Sequence, residues 1–424
     1  MVPQSIDVAM LGIRIHTGDV ATFGEMTIAI VVIPLVYALI GLTAHASFTK
    51  LSRSPASKAI LIVAMAVITA GFPFAALSAY PVRSRLTAFV LSYHAVLGFF
   101  RWVEFVLGRG PKGSAASSFT FAAYFSYAAE ILFEDGKVKR LSSRTAACTD
   151  LALRAGFHVL VFLVVNSIGR ATGMLPYAQG HEYLTSLPLY GWPKTLPALY
   201  LQTCMVYCMM GLVMLLYRLV LAILRVDSLV AFKAPLVRST SLREFWGRRW
   251  NLIVHNLLKR CFFEPFRAGP VWQQHLGGFL AFLMSGLFHE YMWLALHAAR
   301  PGSSKYVFGK VTTFFVLQFV ATAAQAMMAR SPLNRVAAML PDPVLTCLVT
   351  LAVLPFSPLF LEGCFGMLRE INDALPAVEV QDGGLGLKSL ILCLLSVGPV
   401  AFLSRRSSLE HVQHPRKYDT RPSR

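Results

Sequence analysis

The chain has 424 residues, of which 56% are hydrophobic, and a formal net charge of +18. A helix needs roughly 20 apolar residues to cross about 30 Å of hydrocarbon, and this chain offers that length many times, which excludes a soluble globular protein. In a membrane protein, the basic excess is explained by the positive-inside rule and by attraction to anionic lipid. We therefore expect contact with membrane lipids and no nucleic-acid partner.

Ten apolar stretches predict an all-α polytopic membrane protein with about eight to ten transmembrane helices. They cover residues 27–46, 59–80, 86–107, 118–133, 151–168, 196–224, 277–299, 307–328, 343–361 and 387–404. The predicted organisation is a short N-terminal segment (1–26), one membrane-embedded domain (27–404) and a basic C-terminal tail (405–424). No signal-peptide pattern precedes the first span, so we expect it to act as an uncleaved insertion signal.

The basic residues are concentrated at residues 50–58, 137–144, 225–249 and 405–424. The positive-inside rule places all four in the cytosol. Strict alternation of the ten spans, however, puts 137–144 on the opposite side. One early span is therefore miscounted, and the short stretch 118–133 is the weakest of them.

Residues 239–266 form neither a loop pattern nor a span. Ser241, followed three residues later by Glu244, is a capping box that predicts the start of a helix. A helical wheel separates an apolar face from a polar one. The apolar face holds Trp246, Trp250, Ile253, Leu257 and Cys261, and the polar face holds Glu244, Arg248, Asn251, His255 and Lys259. This pattern predicts an amphipathic helix at the membrane interface.

His289 and Glu290 lie near the middle of the apolar stretch 277–299. Ionisable groups at that depth are costly, so a functional role is the first hypothesis, with a packed histidine as the alternative. Adjacent helical residues point about 100° apart, so we expect Glu290 to pair with another helix and not with His289. The position four after His289 is Trp293, so the zinc-protease spacing is absent and no metal is expected.

A few other polar residues lie within predicted spans. Arg101 and Glu104 are three residues apart on one predicted helix, which favours an ion pair between them. His94 lies two turns earlier on roughly the same face. The sequence does not indicate what His94 does.

Residues 241–251 (Ser-Leu-Arg-Glu-Phe-Trp-Gly-Arg-Arg-Trp-Asn) and 282–291 (Phe-Leu-Met-Ser-Gly-Leu-Phe-His-Glu-Tyr) resemble the paired signature of the membrane-bound O-acyltransferase superfamily. The most similar branch is the long-chain-alcohol acyltransferases, or wax synthases. The run from Trp250 to His255 is also similar to sterol and diacylglycerol acyltransferases. Cys261 stands where those two branches are expected to have histidine, which weighs against them.

The resemblance implies a bundle with a buried catalytic chamber and an acyl-CoA-dependent transfer of a fatty acyl group to the hydroxyl of a lipophilic alcohol. A long-chain fatty alcohol, giving a wax ester, is the favoured acceptor; sterol, diacylglycerol and terpenoid alcohols remain open. His289 is the implied catalytic histidine and Asn251 its polar partner. Acyl-CoA is a co-substrate, no permanently bound cofactor is expected, and the location expected is the endoplasmic reticulum membrane.

Further residues of the motif region, 231–298, are candidates for contacts to substrate or CoA. They are Trp246, Arg248, Arg249, Trp250, His255, Ser285 and Glu290. The basic side chains that suit the CoA phosphates are Arg243, Arg248, Arg249, Lys259 and Arg260. Two other functional classes remain open, namely a transporter that relays protons through the His-Glu pair and a non-catalytic lipid-binding protein.

Overall fold

A computed structural model of the protein describes residues 5–8, 13–16, 20–171 except 53, 81 and 83, 192–299, 307–361, 363–364, 367–368 and 377–380. The chain divides into two units, Met1–Thr17 with Pro376–Arg424 and, separately, Gly18–Leu375. In the first unit the strands Ser5–Val8, Ile13–His16 and Ala377–Val380 form an antiparallel sheet with Ile13–His16 in the centre. The predicted boundaries at residues 26 and 404 stay predictions.

The second unit is helical. Its helices are α1 Val20–Leu51, α2 Pro55–Ala79, α3 Arg85–Val106, α4 Ser118–Ser126, α5 Arg144–Ala171, α6 Trp192–Ile223, α7 Pro235–Arg238, α8 Leu242–Glu244, α9 Leu252–Leu258, α10 Val271–Ala299, α11 Lys310–Met328, α12 Leu333–Met339 and α13 Asp342–Val353. Shorter π-helical turns cover Phe245–Arg249 and Lys259–Phe263, and 3-10 turns cover Glu264–Phe266 and Leu354–Phe356.

Seven of these helices in the described residues are long and apolar enough to cross a membrane: α1, α2, α3, α5, α6, α10 and α11. The prediction of an all-α polytopic membrane protein is confirmed. A shorter apolar helix covers Asp342–Phe356, where the ninth span was predicted. The tenth predicted span, 387–404, lies outside the described residues.

The predicted span at 118–133 is wrong. Its helix, α4, has nine residues and so reaches only about 14 Å, less than half the hydrocarbon thickness. It packs against α1, where His45 Nδ1 and Ser118 Oγ are 2.9 Å apart. A two-stranded hairpin, Phe133–Glu134 with Lys137–Val138, follows it.

Removal of that span resolves the conflict in topology. With α4 excluded, alternation of the helices brings residues 50–58, 137–144 and 225–249 to one side. Backbone contacts agree, because Ile131 bridges Ser228 and Arg140 bridges Val226. The basic segments that flank α5 and α6 therefore meet at one end of the bundle, as the positive-inside rule requires.

The single amphipathic helix expected from residue 241 is also wrong, although its start is right. Ser241 Oγ accepts the Glu244 N–H at 3.1 Å, as the capping box predicts. The chain then closes a π turn in which the Trp250 N–H donates to the Phe245 carbonyl at 2.8 Å. Trp250 is extended, and Asn251 takes the left-handed conformation at φ 36° before α9 begins.

The break has a local cause in the sequence and a tertiary one. Asparagine is one of the few residues that enter the left-handed region readily. The surrounding backbone is fixed by bonds from Lys233 N–H to the Arg249 carbonyl and from Leu252 N–H to the Ala231 carbonyl. As a result, Asn251 is buried and does not lie on an exposed polar face.

Candidate active site

His289 lies on α10, the helix that contacts α2, α3, α11 and the Lys259–Phe263 turn. The imidazole is buried, and its Nδ1 lies 2.6 Å from the Ser285 carbonyl oxygen. A carbonyl can only accept, so Nδ1 carries the hydrogen and Nε2 of the neutral ring keeps a free lone pair. Ser285 therefore acts on His289 through its backbone, and this contact fixes the tautomer that a general base needs.

Aromatic side chains surround the His289 ring. Phe315 of α11 stacks on it at 4.8 Å between ring centroids, Phe288 lies at 4.5 Å and Phe360 at 5.2 Å. Trp246 extends this group, because its ring is 5.9 Å from that of Phe315. The surroundings of His289 are thus apolar.

Glu290 points to α11, as the sequence predicted. Its Oε1 accepts the Thr312 N–H at 3.0 Å, in the first turn of that helix. Within the described chain its other oxygen, Oε2, is buried without a hydrogen bond. The helices approach closely here because Gly286 has no side chain: a Cβ at that position would lie 2.6 Å from Thr312 Cα.

Asn251 is the N-cap of α9, and its Oδ1 accepts the Val254 N–H at 3.4 Å. Its amide lies beside the Tyr93 hydroxyl, although that hydroxyl makes no hydrogen bond of normal geometry. The Tyr93 ring is 6.2 Å from the Phe288 ring, next to His289. Helices α9 and α10 are in contact, so Asn251 and His289 are brought to one region, but no hydrogen bond joins them in the described residues.

The two adjacent arginines of the motif differ in their surroundings. Arg249 donates from Nε and Nη2 to Glu244 Oε1 at 2.8 and 2.6 Å, and from Nη1 to the Lys233 carbonyl. Burial opposes ionisation of Glu244, but the Thr240 and Arg249 hydrogen bonds outweigh it and lower the pKa of this carboxyl. Arg248 is exposed and has no ion-pair partner in the described part of the chain.

His255 and Trp250 support the segment in different ways. Burial, with the nearby charges of Lys259 and Arg260, lowers the pKa of His255 to about 4, so the ring is neutral at physiological pH. Trp250 stacks on Phe245 with the ring centroids 5.4 Å apart. Both rings pack within the broken segment.

A buried ionic cluster beside the site was not predicted. Arg260 donates to both Glu104 and Glu130, and to the Tyr124 hydroxyl at 3.1 Å. The predicted pair of Arg101 with Glu104 is wrong, because Arg101 donates to backbone carbonyls near Tyr127 and lies over the Tyr124 ring. The pairing of Glu104 with Arg260 spans 156 positions, and no sequence pattern signals a contact at that separation.

The described residues contain no group of three or more His, Cys, Asp or Glu side chains that could hold a metal ion. The candidate site consists of a buried histidine of defined tautomer, the aromatic rings around it and a nearby carboxamide. A neutral imidazole can take up and release a proton, and this one is held within a multi-pass membrane bundle. Fold and site therefore define a multi-pass membrane protein with a buried histidine.

Comparisons with known proteins agree with this class. Residues 230–317 match the membrane bound O-acyl transferase family. It is 26% identical to the probable long-chain-alcohol O-fatty-acyltransferase 8 of Arabidopsis thaliana over 66% of this chain and 74% of that protein. It is 35% identical to the long-chain-alcohol O-fatty-acyltransferase of Simmondsia chinensis over 27% of this chain and 32% of that protein.

A third relative, the acyl-CoA–sterol O-acyltransferase 1 of Arabidopsis thaliana, is 24% identical over 58% of this chain and 65% of that protein. The matches of higher identity are short: this chain aligns with about a third or less of the length of several long-chain-alcohol relatives. The residues that match the family, 230–317, include Asn251 and His289.

Proposed function

We propose that the protein is an acyl-CoA-dependent O-acyltransferase that transfers a fatty acyl group to the hydroxyl of a lipophilic alcohol. The observation that carries the proposal is His289, whose Nδ1–H is fixed on the Ser285 carbonyl within the residues that match the family. Its Nε2 lone pair is the group that such a reaction requires. An alcohol is a poor nucleophile, and attack on a thioester benefits from a base that removes its proton.

The reaction then proceeds with His289 as general base and general acid. The alcohol oxygen attacks the thioester carbonyl as its proton passes to Nε2, so that a C–O bond forms and the imidazole becomes imidazolium. Collapse of the tetrahedral intermediate breaks the C–S bond. The CoA thiolate takes the proton back from Nε2, which restores the neutral histidine and balances the protons.

Asn251 is proposed to stabilise the oxygen anion of that intermediate through its amide N–H. Its Oδ1 holds the first turn of α9, which fixes the direction of the carboxamide. A covalent acyl-enzyme is not required. Burial raises the pKa of Cys261, a cysteine of the motif region, to about 12, so this thiol is a poor nucleophile.

The favoured acceptor is a long-chain fatty alcohol, with a wax ester as product. The relatives named for long-chain alcohols support this acceptor, as do the aromatic walls around His289, which match a linear apolar chain. A sterol is the second candidate, because a sterol acyltransferase aligns with over half of this chain. Diacylglycerol and terpenoid alcohols are further possible acceptors.

Acyl-CoA is proposed to approach from the side of the basic segments. CoA is anionic and soluble in water, whereas the acyl chain and the alcohol are soluble in lipid, so the chamber must open both to that side and to the bilayer. Arg248 is exposed and suits a CoA phosphate. The basic segments face the cytosol under the positive-inside rule, and the endoplasmic reticulum membrane is the proposed location.

The experiment is an in vitro assay of the purified protein in lipid nanodiscs, with radiolabelled acyl-CoA and a panel of fatty alcohol, sterol, diacylglycerol and terpenoid alcohol. We expect ester with the fatty alcohol. Ester with sterol alone would change the acceptor and keep the mechanism. If folded protein forms no ester with any acceptor, the proposal is wrong. The transporter and lipid-binding hypotheses are then favoured.

A further inference from the structure

A second buried histidine has the same local geometry as His289. His94 of α3 is 1% exposed, and its Nδ1 lies 2.8 Å from the Val90 carbonyl oxygen. That contact requires the hydrogen on Nδ1 and leaves Nε2 as a hydrogen-bond acceptor. Within the described part of the chain, Nε2 is buried and has no partner.

Three tyrosines from three helices surround this ring. The ring centroids of Tyr217 on α6, Tyr37 on α1 and Tyr93 on α3 lie 5.4, 5.9 and 6.4 Å from that of His94. Each tyrosine is at most 5% exposed. All three hydroxyls are buried and make no hydrogen bond of normal geometry with the described residues, although that of Tyr93 lies beside the Asn251 amide.

Four polar groups without partners in one place are unusual. Buried polar atoms in proteins nearly always have a protein or water partner, because a group removed from water without one is destabilising. In the described residues, no ion pair and no common helix cap holds the three tyrosines together. The packing of α1, α3 and α6 therefore brings three hydroxyl-bearing rings around one imidazole whose Nε2 can accept.

We propose that His94, Tyr37, Tyr93 and Tyr217 form a binding site for a hydroxyl group, here called the hydroxyl site. A hydroxyl donates one hydrogen, which suits His94 Nε2, and its oxygen accepts from tyrosine O–H groups. A carboxylate or ketone has no hydrogen to give Nε2, and an ammonium ion cannot accept from tyrosine. The hydroxyl belongs either to an internal water or to the head of a lipophilic alcohol.

Tyr93 connects the hydroxyl site to the candidate active site. Its hydroxyl lies beside the Asn251 amide and is close enough to Tyr217 for the two to interact electrostatically. Its ring also contacts Phe288, which adjoins His289. A water in the hydroxyl site would add to the polar groups next to Asn251. An alcohol there would be an acceptor bound close to the candidate active site, and only this second source rests on the proposed function.

The test uses thermal unfolding of the full chain in nanodiscs, without acyl-CoA. If the site is occupied, Tyr93→Phe and Tyr217→Phe each remove a hydrogen bond and lower Tm by about 2 °C or more. If the site is dry, each variant removes an unpaired hydroxyl, and Tm stays the same or rises. That second result, both without and with added hexadecanol, overturns the proposal, and Tyr217→Phe decides it should Tyr93→Phe fail to fold.

Two matched tyrosines calibrate this measurement. The Tyr291 hydroxyl donates to the Ala70 carbonyl at 2.6 Å, so Tyr291→Phe should lower Tm whatever occupies the hydroxyl site. Tyr80 is 79% exposed, so Tyr80→Phe should leave Tm unchanged. An unchanged Tm for Tyr217→Phe is conclusive only if Tyr291→Phe lowers Tm in the same measurement.

Added hexadecanol, with hexadecane as the control that lacks a hydroxyl, separates the two sources. If the alcohol occupies the site, hexadecanol alone raises the Tm of the wild type, and Tyr93→Phe abolishes that rise. If water occupies it, the Tyr variants are destabilised and hexadecanol acts equally on all of them. Neither readout depends on ester formation, so failure of the proposed activity leaves this test intact.

Discussion

Asn251 has two structural duties that must be separated from its proposed chemical one. Its Oδ1 caps α9, and its backbone is left-handed at φ 36°. Asn251→Ala removes the cap and forces alanine into a left-handed conformation, which together cost about 2–3 kcal/mol. Loss of activity in that variant would therefore not identify the cause.

Substitution of Asn251 by aspartate or by glycine separates these roles. Asn251→Asp keeps an oxygen for the Val254 N–H and tolerates the left-handed backbone, but it has no amide hydrogen. Asn251→Gly keeps the backbone conformation and loses the whole side chain, at a cost of only a few tenths of a kcal/mol relative to the capping residue. If the amide stabilises the oxyanion, both variants should fold and both should lose on the order of 100-fold in kcat.

The assay measures kcat for acyl-CoA with a saturating fatty alcohol, beside Tm in the same nanodiscs. We expect Tm near that of the wild type for Asn251→Asp and slightly lower for Asn251→Gly. A folded Asn251→Asp with wild-type kcat would refute the oxyanion role. Asn251 would then be only the capping residue of α9.

Further predictions concern the histidines and arginines. His289→Ala should lower kcat by about 100-fold to 10,000-fold with expression intact, and wild-type turnover of the purified variant would contradict the mechanism. Arg248→Gln should raise the apparent KM for acyl-CoA by about tenfold, the effect of one charge-assisted hydrogen bond, with little change for the uncharged alcohol. Arg249→Gln should instead lower Tm, because it leaves Glu244 without its ion-pair partner; a KM change for acyl-CoA without loss of Tm would assign Arg249 to the substrate. The lowered pKa of His255, about 4 against the ordinary 6.5, means that the unfolded chain takes up a proton first as pH falls. The stability that neutral His255 contributes is complete above pH 6.5 and is lost as the pH falls toward 4. His255→Gln should therefore make Tm depend less on pH between 4 and 6.5. An unchanged slope of Tm against pH would contradict the lowered pKa of His255.

The sequence was sufficient for most of the membrane helices because hydropathy and length decide whether a helix can span. It failed at 118–133 for a physical reason. The apolar side chains of α4, such as Phe121 and Phe125, are buried inside the protein, and composition is the same for a helix buried by protein as for one in lipid. The sequence did contain a sign of this error: with ten spans, the basic residues 137–144 lay on the opposite side of the membrane from the other basic segments.

The broken segment shows a different limit. A helical wheel assumes one continuous helix of 3.6 residues per turn, but the π turn that ends at Trp250 and the left-handed Asn251 change the direction of every later side chain. The wheel therefore placed Asn251 on the polar surface, whereas it is buried in the fold. The contacts that enforce the break come from Ala231 and Lys233, which the wheel does not include.

The basic residues of the motif illustrate how this difference changes the mechanism. In the sequence, Arg248, Arg249 and Arg260 were all candidates for the CoA phosphates. In the fold, Arg249 is held by Glu244, and Arg260 is held by Glu104 and Glu130. A guanidinium whose hydrogens already meet carboxylates must break those bonds before it can bind a phosphate, so these two arginines have a structural role. Among these arginines, only the exposed Arg248 is then free to attract CoA. With a net charge of +18, the loss of one charge would be expected to matter little, but we expect Arg248→Gln to raise the apparent KM for acyl-CoA clearly.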